Sequence, residues 1–476
     1  AQPFALNAEP LLRAEFVRIG KDKEKRFWWL ITLHHLIADR TSLHLLTAEL
    51  AHELDGQAVA SPELHYPDFV TWQRDLPEDA WEPLRFYWKW QLRGRIPPLE
   101  LPTARPRVAV HTFSAARHEF EWDVATTSKL HQLASTQGTS FTAVALAVFK
   151  VLLHRYARQD EIVIGTSAPN RRQEGAEHLI GPVENLVVLR STFDRNPPFH
   201  EFLGRFTLTH AGALEHQELP FDTLVRTLNP AKDMSRTALF DVLATCDETP
   251  PPHFTLSTGD TLQQVDLNLG HGKYDLALHL QATAGNSTAG TITYNTDLHN
   301  ADFIAQFSQH FGRLVLAVCL APETGVDDLN LLDAEEEYFQ LVTCNDTAAE
   351  APREDTLISL FAAQVARTPD RPAVSHAGVH LTYREVDARA NQLAHHLRSQ
   401  GVRPDQLVAV ALGRSAELVI ALLGVLKAGA AYLPVDPGHP VDRIRFTLED
   451  AAAQHLVSDE TIRTRIAPPK SVSAIT

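Results

Sequence analysis

A proline-rich segment divides the sequence and limits what can form on either side of it. Residues 97–107 read PPLELPTARPR, with four prolines in eleven positions. Proline fixes the backbone φ angle and has no N–H donor, so this composition disfavours both a helix interior and a central strand. We therefore predict a linker, set at 101–114, between residues 1–100 and a second block.

A second break is predicted at 336–354, where the sequence is polar and acidic and contains the turn-forming Asn345, Asp346 and Pro352. The chain has 476 residues, and a usual prior of about 150 residues per domain suggests about three compact units. We expect these to be residues 1–100, 115–335 and 355–476.

Two paired strands and a helix are predicted near the start. Residues 13–20 and 27–35 are rich in branched and aromatic side chains, with a charged turn at 21–25 between them. After Asp39 the apolar residues recur at helical spacing, and Thr41 or Ser42 is the predicted cap of that helix. His34 and His35 therefore lie at a strand end, just before a helix.

The later sequence mixes strands and helices, which predicts an α/β (α+β) fold class. The predicted strands are 118–122, 161–166, 186–193, 290–294 and 407–411, with a strand-turn at 373–381. The predicted helices are 124–137, 140–157, 301–319, 356–366, 383–399 and 416–428.

Composition excludes several partners. The formal net charge of −16, from 59 acidic and 43 basic side chains, would repel nucleic-acid phosphates and anionic lipid surfaces. No uninterrupted apolar run approaches the roughly 20 residues that span a bilayer. Three distant cysteines without metal-ligand spacing favour a reducing, cytoplasmic compartment and no metal site. Because Ala1 opens the sequence without a leader pattern, we expect an internal piece of a longer protein.

The sharpest local feature is HHLIADR, residues 34–40. Adjacent side chains on a strand point to opposite faces, so His34 and His35 cannot easily share one role. An imidazole, with a pKa near about 6.5, can accept and return a proton near neutral pH. Asp39 either orients a histidine or ties the loop to an arginine elsewhere. On these residues alone, a structural pair of histidines is commoner than a catalytic one.

A series of motifs resembles the condensation domains of nonribosomal peptide synthetases. HHLIADR resembles that family's HHxxxDG signature and departs from it at Arg40. The later segments that match the family's motifs, in the family's order, are YPDFVTW (66–72), IGPVENLVVLR (180–190), HQELPFDTLV (216–225), DMSRTALFDV (233–242), KYDLALHL (273–280) and ITYNTDL (292–298).

The resemblance implies two chloramphenicol-acetyltransferase-like subdomains in a V, with a tunnel that receives carrier-bound thioesters from both sides. Residues 1–100 would be the remainder of the N-terminal subdomain, whose earlier part is absent, and 115–335 the C-terminal subdomain. His35 would be the catalytic, tunnel-facing histidine that removes or steers a proton of the acceptor amine, with His34 packed on the other face. Asp39 would pair with an arginine of the second subdomain, and Arg190 is our candidate.

Other matched residues have two interpretations each. Asn295 matches a tunnel-lining asparagine but is also a typical turn former. Ser235 and Arg236 either line the channel or form a surface turn with a solvated arginine. Large aromatic side chains mainly supply buried area. On that ground the predicted core residues include Trp28, Trp29 and Trp72.

Two positions depart from the family pattern. Arg40 replaces a glycine and brings a long cation close to the tunnel. It either points away or toward a phosphopantetheine phosphate, which leaves condensation intact, or it obstructs the acceptor. Glu184 replaces a residue expected to be apolar, and the sequence offers no physical account of it.

The final piece resembles the opening of amino-acid adenylation domains. LTYREVDARANQLAHHL (381–397) and LKAGAAYLPVDPGHP (426–440) look like that family's first two motifs. The phosphate loop, substrate pocket and catalytic lysine that follow in the family have no match before Thr476. We therefore expect residues 355–476 to be a truncated N-terminal part of an adenylate-forming fold, unable to make an aminoacyl adenylate unaided. ATP and Mg would serve only the complete domain, and condensation would bind no cofactor.

The leading hypothesis is amide-bond formation between a donor acyl or peptidyl thioester and an acceptor aminoacyl thioester. The expected partners are the upstream and downstream peptidyl carrier domains and the remaining modules of the parent synthetase. An epimerisation domain shares the signature, but the adenylation segment directly behind favours condensation. A noncatalytic or impaired docking or gating platform is a further alternative, suggested by Arg40. The adenylation segment also argues against a free-standing acyltransferase that uses coenzyme A.

Overall fold

The structure is a computed structural model that describes residues 4–7, 10–19, 26–59, 61–268, 270–349 and 354–476. The predicted charged turn at 21–25, and Ala1 and Pro352, lie outside the described residues. The chain divides into two compact units, Ala1–Asn345 and Asp346–Thr476. The division falls inside the polar segment 336–354, and the predicted mixed α/β class is confirmed.

The first unit opens with the predicted antiparallel hairpin, formed by β1 (Leu12–Ile19) and β2 (Arg26–Leu33). Three helices follow, α1 (Arg40–Leu54), α2 (Tyr66–Asp75) and α3 (Glu78–Gln91). The cap of α1 is Asp39, which accepts a hydrogen bond from the Ser42 N–H. The predicted cap at Thr41 or Ser42 is therefore wrong, because the helix already begins at Arg40.

A six-stranded mixed sheet forms the centre of the rest of this unit, in the order β3-β10-β9-β6-β4-β5. Its strands are β3 (Ala115–Trp122), β4 (Glu161–Ala168), β5 (Asn185–Thr192), β6 (Val242–Asp247), β9 (Leu276–Ala282) and β10 (Thr288–Asn295). A separate hairpin pairs β7 (His253–Thr255) with β8 (Thr261–Gln263). The helices are α4 (Val124–Thr136), α5 (Phe141–Ala157), α6 (Phe199–Glu215), α7 (Phe221–Leu228), α8 (Ala301–Leu320) and α9 (Ala334–Leu341).

The main core lies between this sheet and its helices. Helix α5 is apolar on nearly every face and is buried over most of its length, as expected for a helix with neighbours all round. Helix α8 is long and apolar enough to cross a membrane, and α4 and α5 would form a second such span only if taken together across a sharp bend. Phe307 and Phe311 of α8 are fully buried in the core, the arrangement typical of a core helix in a globular protein.

Helix α3 packs on the second block rather than on the hairpin. Trp88 is buried in the main core, and its indole N–H donates to the His216 carbonyl oxygen at 3.0 Å. Tyr87 stacks on the His216 ring, with the centroids 3.8 Å apart. Helix α3, which comes before the proline-rich segment, is therefore part of the main core that is formed mostly by residues after that segment.

The prediction that three tryptophans belong to the core is wrong. Trp28, Trp29 and Trp72 are 37%, 40% and 36% exposed. Trp28 and Trp29 lie on the β1–β2 hairpin, which in the described part of the chain is a two-stranded sheet. A two-stranded sheet has too little apolar surface to bury large side chains by itself.

The second unit alternates strand and helix, as predicted. Its elements are α10 (Leu357–Arg367), β11 (Pro372–His376), β12 (Val379–Thr382), α11 (Tyr383–Ser399), β13 (Leu407–Ala411), α12 (Ala416–Lys427), β14 (Ala431–Pro434), α13 (Val441–Asp450), β15 (His455–Ser458), α14 (Glu460–Ile466) and β16 (Ser473–Ile475). The strands β14-β13-β15-β16 form a parallel sheet, and β11 pairs with β12. Gly429, with φ of +88°, makes the tight turn from α12 into β14.

Candidate functional site

His35 lies in the turn that joins β2 to α1, and its side chain is exposed. Its Nδ1 lies 3.0 Å from the carbonyl oxygen of Ala38. A carbonyl can only accept, so Nδ1 carries the proton and donates it. In the neutral ring the lone pair is then on Nε2, which makes that atom the proton acceptor.

His34 has the opposite arrangement. Its Nδ1 accepts a hydrogen bond from the Leu36 backbone N–H at 3.1 Å, which places the proton of the neutral ring on Nε2. Its ring packs edge-on against Phe4, with the centroids 5.8 Å apart. The two adjacent histidines therefore differ in both tautomer and packing.

Asp39 anchors the turn to the second block. Its side chain is completely buried and accepts hydrogen bonds from the Val183 and Glu184 backbone N–H groups at 3.1 and 3.0 Å. The Arg171 guanidinium binds both carboxylate oxygens at 2.8 and 2.9 Å, and Ser42 donates to one of them. This buried, fully paired carboxylate fixes the start of α1 against the segment that leads into β5.

The predicted pairing of Asp39 with Arg190 is wrong. Arg190 lies well inside β5, where its guanidinium binds Glu161 at 2.7 Å and the Arg93 carbonyl oxygen at 2.6 Å. Arg171 comes from the loop that follows β4. Because β4 and β5 are antiparallel, the end of β4 and the start of β5 share one sheet edge. The signal in the sequence for the true partner was therefore Arg171, an arginine shortly after β4, the strand that precedes the motif IGPVEN (180–185).

Arg40 is the first residue of α1 and its side chain points to carboxylates of the second block. Its Nη2 lies 3.4 Å from Asp266 Oδ2, and its Nε lies 3.7 Å from Asp247 Oδ2. Arg40 has no left-handed φ, so a glycine is not required at this position. The predicted orientations did not include these contacts: the structure shows Arg40 tied to two acidic side chains.

Two further histidines surround this ion pair. The Nε2 of His279 lies 3.7 Å from Asp247 Oδ2. Burial lowers the pKa of His279 and Arg40 lowers it further, against the opposing effect of Asp247. Burial and Arg40 likewise lower the pKa of His44. Both imidazoles are therefore held neutral near pH 7, which leaves Arg40 as the cation of this cluster.

The three remaining candidates have structural contacts. Asn295 is 3% exposed, donates to the Thr112 carbonyl oxygen and accepts from the Asp297 N–H, which favours the turn interpretation. Ser235 donates to Asp233 through its N–H and its hydroxyl.

Arg236 was predicted to be solvated in one interpretation, and that interpretation is wrong. Its side chain is 13% exposed and pairs with Asp241 and Glu100, both at 2.6 Å. The pair with Glu100 ties the segment before β6 to the proline-rich segment 97–107, whereas Asp241 belongs to the same segment as Arg236. Channel roles for Ser235, Arg236 and Asn295 stay predictions.

The sequence marks Glu184 only as a departure from the family pattern, yet the residue lies beside the site. Its backbone N–H binds Asp39. Burial raises the pKa of its carboxyl, and Asp39 and Asp247 raise it further, while a hydrogen bond from Ser167 and the nearby His35 lower it. The group is thus a carboxyl in electrostatic range of His35.

No cofactor site is assigned in the described part of the chain. Among the described residues, no group of three or more His, Cys, Asp or Glu side chains could hold a metal ion.

Comparisons with known proteins give the same organisation. A family model described as "Condensation domain" matches residues 1–341, and one described as "AMP-binding enzyme" matches residues 361–475. Tyrocidine synthase 3 of Brevibacillus parabrevis is 36% identical over 459 residues, which cover 96% of this chain and 7% of that protein. Surfactin synthase subunit 2 of Bacillus subtilis (strain 168) is 35% identical over 467 residues, which cover 98% of this chain and 13% of that protein.

A solved structure supports the fold. A four-domain nonribosomal peptide synthetase in its holo form, bound to AMP and glycine, matches with a TM-score of 0.80 at 22% identity. The match covers 100% of this chain and 37% of that chain. Because the condensation model covers most of the sequence and the AMP-binding match follows it, the chain belongs to the condensation-domain family of nonribosomal peptide synthetases and continues into the start of an AMP-binding domain.

Proposed function

We propose that this chain forms an amide bond between a donor acyl or peptidyl group and an acceptor aminoacyl group, each carried as a thioester by a carrier protein. The observation that carries the proposal is the His35 turn. It presents Nε2 of an exposed imidazole as a proton acceptor, and it is anchored through Asp39 to the second block of the same unit.

The chemical step follows from that tautomer. As the acceptor nitrogen attacks the donor carbonyl carbon, the nitrogen becomes acidic and His35 Nε2 takes its proton. The C–S bond then breaks, and the same proton is returned to the leaving thiolate. Positioned acid–base catalysis of this kind typically contributes about 10²- to 10⁴-fold in rate.

The proposal includes the partners. The substrates are carried on the phosphopantetheine arms of upstream and downstream carrier domains, and the rest of the parent synthetase supplies the other modules. ATP and Mg belong to the complete adenylation domain, and the condensation step needs neither. A cytoplasmic location is part of the same proposal, since this chemistry uses intracellular thioesters.

The proposal is tested with the complete parent protein and two purified carrier proteins, one loaded with a donor acyl group and one with an aminoacyl group. Intact-protein mass spectrometry is expected to show the acceptor carrier gaining the donor mass while the donor carrier returns to its free thiol. Omitting the aminoacyl group from the acceptor should abolish the transfer. Donor loss by hydrolysis alone, with no mass gain on the acceptor, would contradict the proposal.

The Arg40 ion pairs favour one alternative, a noncatalytic docking or gating platform. Arg40 joins the start of α1 to Asp247 and Asp266, which would hold the site closed if the contacts persisted. In the same assay we expect wild type and Arg40→Gly to agree within about tenfold, because ion pairs that are partly exposed are weak. A wild type that forms no amide, together with an Arg40→Gly variant that does, would favour the platform.

An epimerisation domain would instead invert the α-carbon of one carrier-bound residue, which chiral chromatography of the released product would detect.

A further inference from the structure

Several ionisable side chains meet at one edge of the six-stranded sheet. Strand β4 runs parallel to β6 and antiparallel to β5, so the ends of β4 and β6 lie at the same edge as the start of β5. Asp247 is the last residue of β6, and Glu184 directly precedes β5. The two carboxyls therefore share this edge.

The same edge faces the turn that carries His35. Asp39 binds the backbone N–H of Glu184 at 3.0 Å, and Arg40 lies 3.7 Å from Asp247. The contacts of the neighbouring residues Asp39 and Arg40 thus hold the His35 turn against this edge of the six-stranded sheet. His35 on this turn is near enough to lower the pKa of Glu184.

Glu184 and Asp247 are incompletely neutralised. Within the part of the chain that the structure describes, no lysine or arginine nitrogen lies within 4.0 Å of the Glu184 carboxylate. Asp247 Oδ2 is buried without a hydrogen bond, although Arg40 Nε and His279 Nε2 both lie 3.7 Å away. An Asp247 oxygen without a donor, beside a Glu184 carboxyl that accepts only a neutral hydrogen bond from Ser167, is a natural site for a cationic group.

We propose that Glu184, set at this edge beside Asp247 and bonded through its backbone to Asp39, binds the α-ammonium group of the acceptor and takes its first proton. This inference rests on the proposed condensation function. An aminoacyl thioester carries an ammonium with a pKa near about 8, which cannot attack a carbonyl until it loses a proton. An apolar residue at position 184 could not accept one.

The proton balance is complete. The ammonium gives one proton to the Glu184 carboxylate, and the free amine attacks the donor thioester carbon. The C–N bond forms and the C–S bond breaks. The second nitrogen proton passes through His35 to the leaving thiolate, and Glu184 later releases its proton to water. The products are one amide, one thiol and one proton.

Burial, with a smaller effect of Asp39 and Asp247, raises the pKa of Glu184 and makes it a stronger base than an ordinary glutamate. Burial raises its pKa toward that of the ammonium, which favours proton transfer. The ionisable groups that face it or its direct neighbours are His35, Asp39, Asp247, Tyr274, Arg171, Arg40 and His279.

The test compares wild type with Glu184→Gln and Glu184→Val in single-turnover amide formation from pH 6.5 to 9, in the complete parent protein. We expect both variants to be at least tenfold slower at pH 7 and to approach the wild-type rate at pH 9, where the amine is already free. The matched control is Glu161→Gln. Glu161 lies at the far end of β4 and pairs with Arg190, so this variant should keep the wild-type pH profile.

A binding measurement that needs no turnover separates this inference from the proposed function. The probes are a nonreactive aminoacyl-pantetheine amide and its α-hydroxyl analogue, measured by calorimetry at pH 7. We expect wild type to prefer the amine at least fivefold and both variants to lose that preference. Variants that keep both the wild-type pH profile and the preference would overturn the ammonium site. A wild type that forms no amide but shows the Glu184-dependent preference would refute the function and support the site.

Discussion

At the scale of single residues, the contacts of Asp39 show how a carboxylate outside the reaction can decide whether the site exists. Its two oxygens accept from the Arg171 guanidinium and from two backbone N–H groups of the segment before β5. A buried charge of this kind is tolerated only because all of its partners are present. We infer that Asp39 positions His35 and takes no part in proton transfer.

Asp39→Asn should therefore reduce stability strongly. Loss of the charge leaves the buried Arg171 guanidinium without its ion pair, and breaking such a pair typically costs about 3–5 kcal/mol. Urea denaturation of the full chain, followed through the transition of the first unit, measures the loss. Asp222→Asn is the matched control, because Asp222 pairs with Arg226 on an exposed surface and should cost less than about 1 kcal/mol. Equal losses in the two variants would contradict the anchoring role.

Glu184 should make the stability of the fold depend on pH. Its pKa is raised in the fold by burial and by Asp39 and Asp247, so the folded state favours the protonated carboxyl. Its contribution is then fully present below the pKa of the unfolded chain and is lost as pH rises through the folded pKa. Glu184→Gln should remove this part of the decline as the pH rises above 4.5, the ordinary pKa of a glutamate, in urea denaturation. If the free energy of unfolding of Glu184→Gln depends on pH as that of wild type does, the prediction is wrong.

At the scale of elements, local pattern predicted most strands and helices because apolar periodicity and caps are local signals. The helix Tyr383–Ser399 and the strand Leu407–Ala411 have the predicted ends. The prediction that the hairpin tryptophans are buried was wrong, because burial depends on what covers a strand. The prediction that Arg190 pairs with Asp39 was wrong, because choosing Arg171 over Arg190 requires knowing which strand ends share a sheet edge.

Close packing between neighbouring strands gives a prediction at this scale. Gly290 of β10 lies directly opposite Phe120 of β3, whose ring occupies the place of a Cβ at position 290. Gly290→Ala should destabilise the protein by about 1–3 kcal/mol, because the ring must move within a packed sheet. Gly204→Ala on α6 is the control, since no heavy atom lies within 4 Å of its added Cβ. Thermal denaturation should show a lower midpoint for Gly290→Ala alone.

At the scale of the whole molecule, the order of motifs predicted the order of domains and the family. The sequence did not show that α3 packs on the block behind the proline-rich linker, because a change in composition marks a break in regular secondary structure and not a packing boundary. The V of two subdomains with a tunnel stays a prediction. What the structure adds is the joint between blocks, where Asp39 and Arg40 contact one sheet edge.

The central claim is that chemistry occurs at His35 while Asp39 only positions it. The most direct test measures single-turnover transfer between loaded carriers for wild type, His35→Ala and His34→Ala in the complete parent protein, with the unfolding free energy of each. We predict that His35→Ala keeps the stability of wild type and slows amide formation by at least about 10²-fold, as expected for loss of a positioned acid–base group. An amide-forming His35→Ala variant with the wild-type rate would contradict the account.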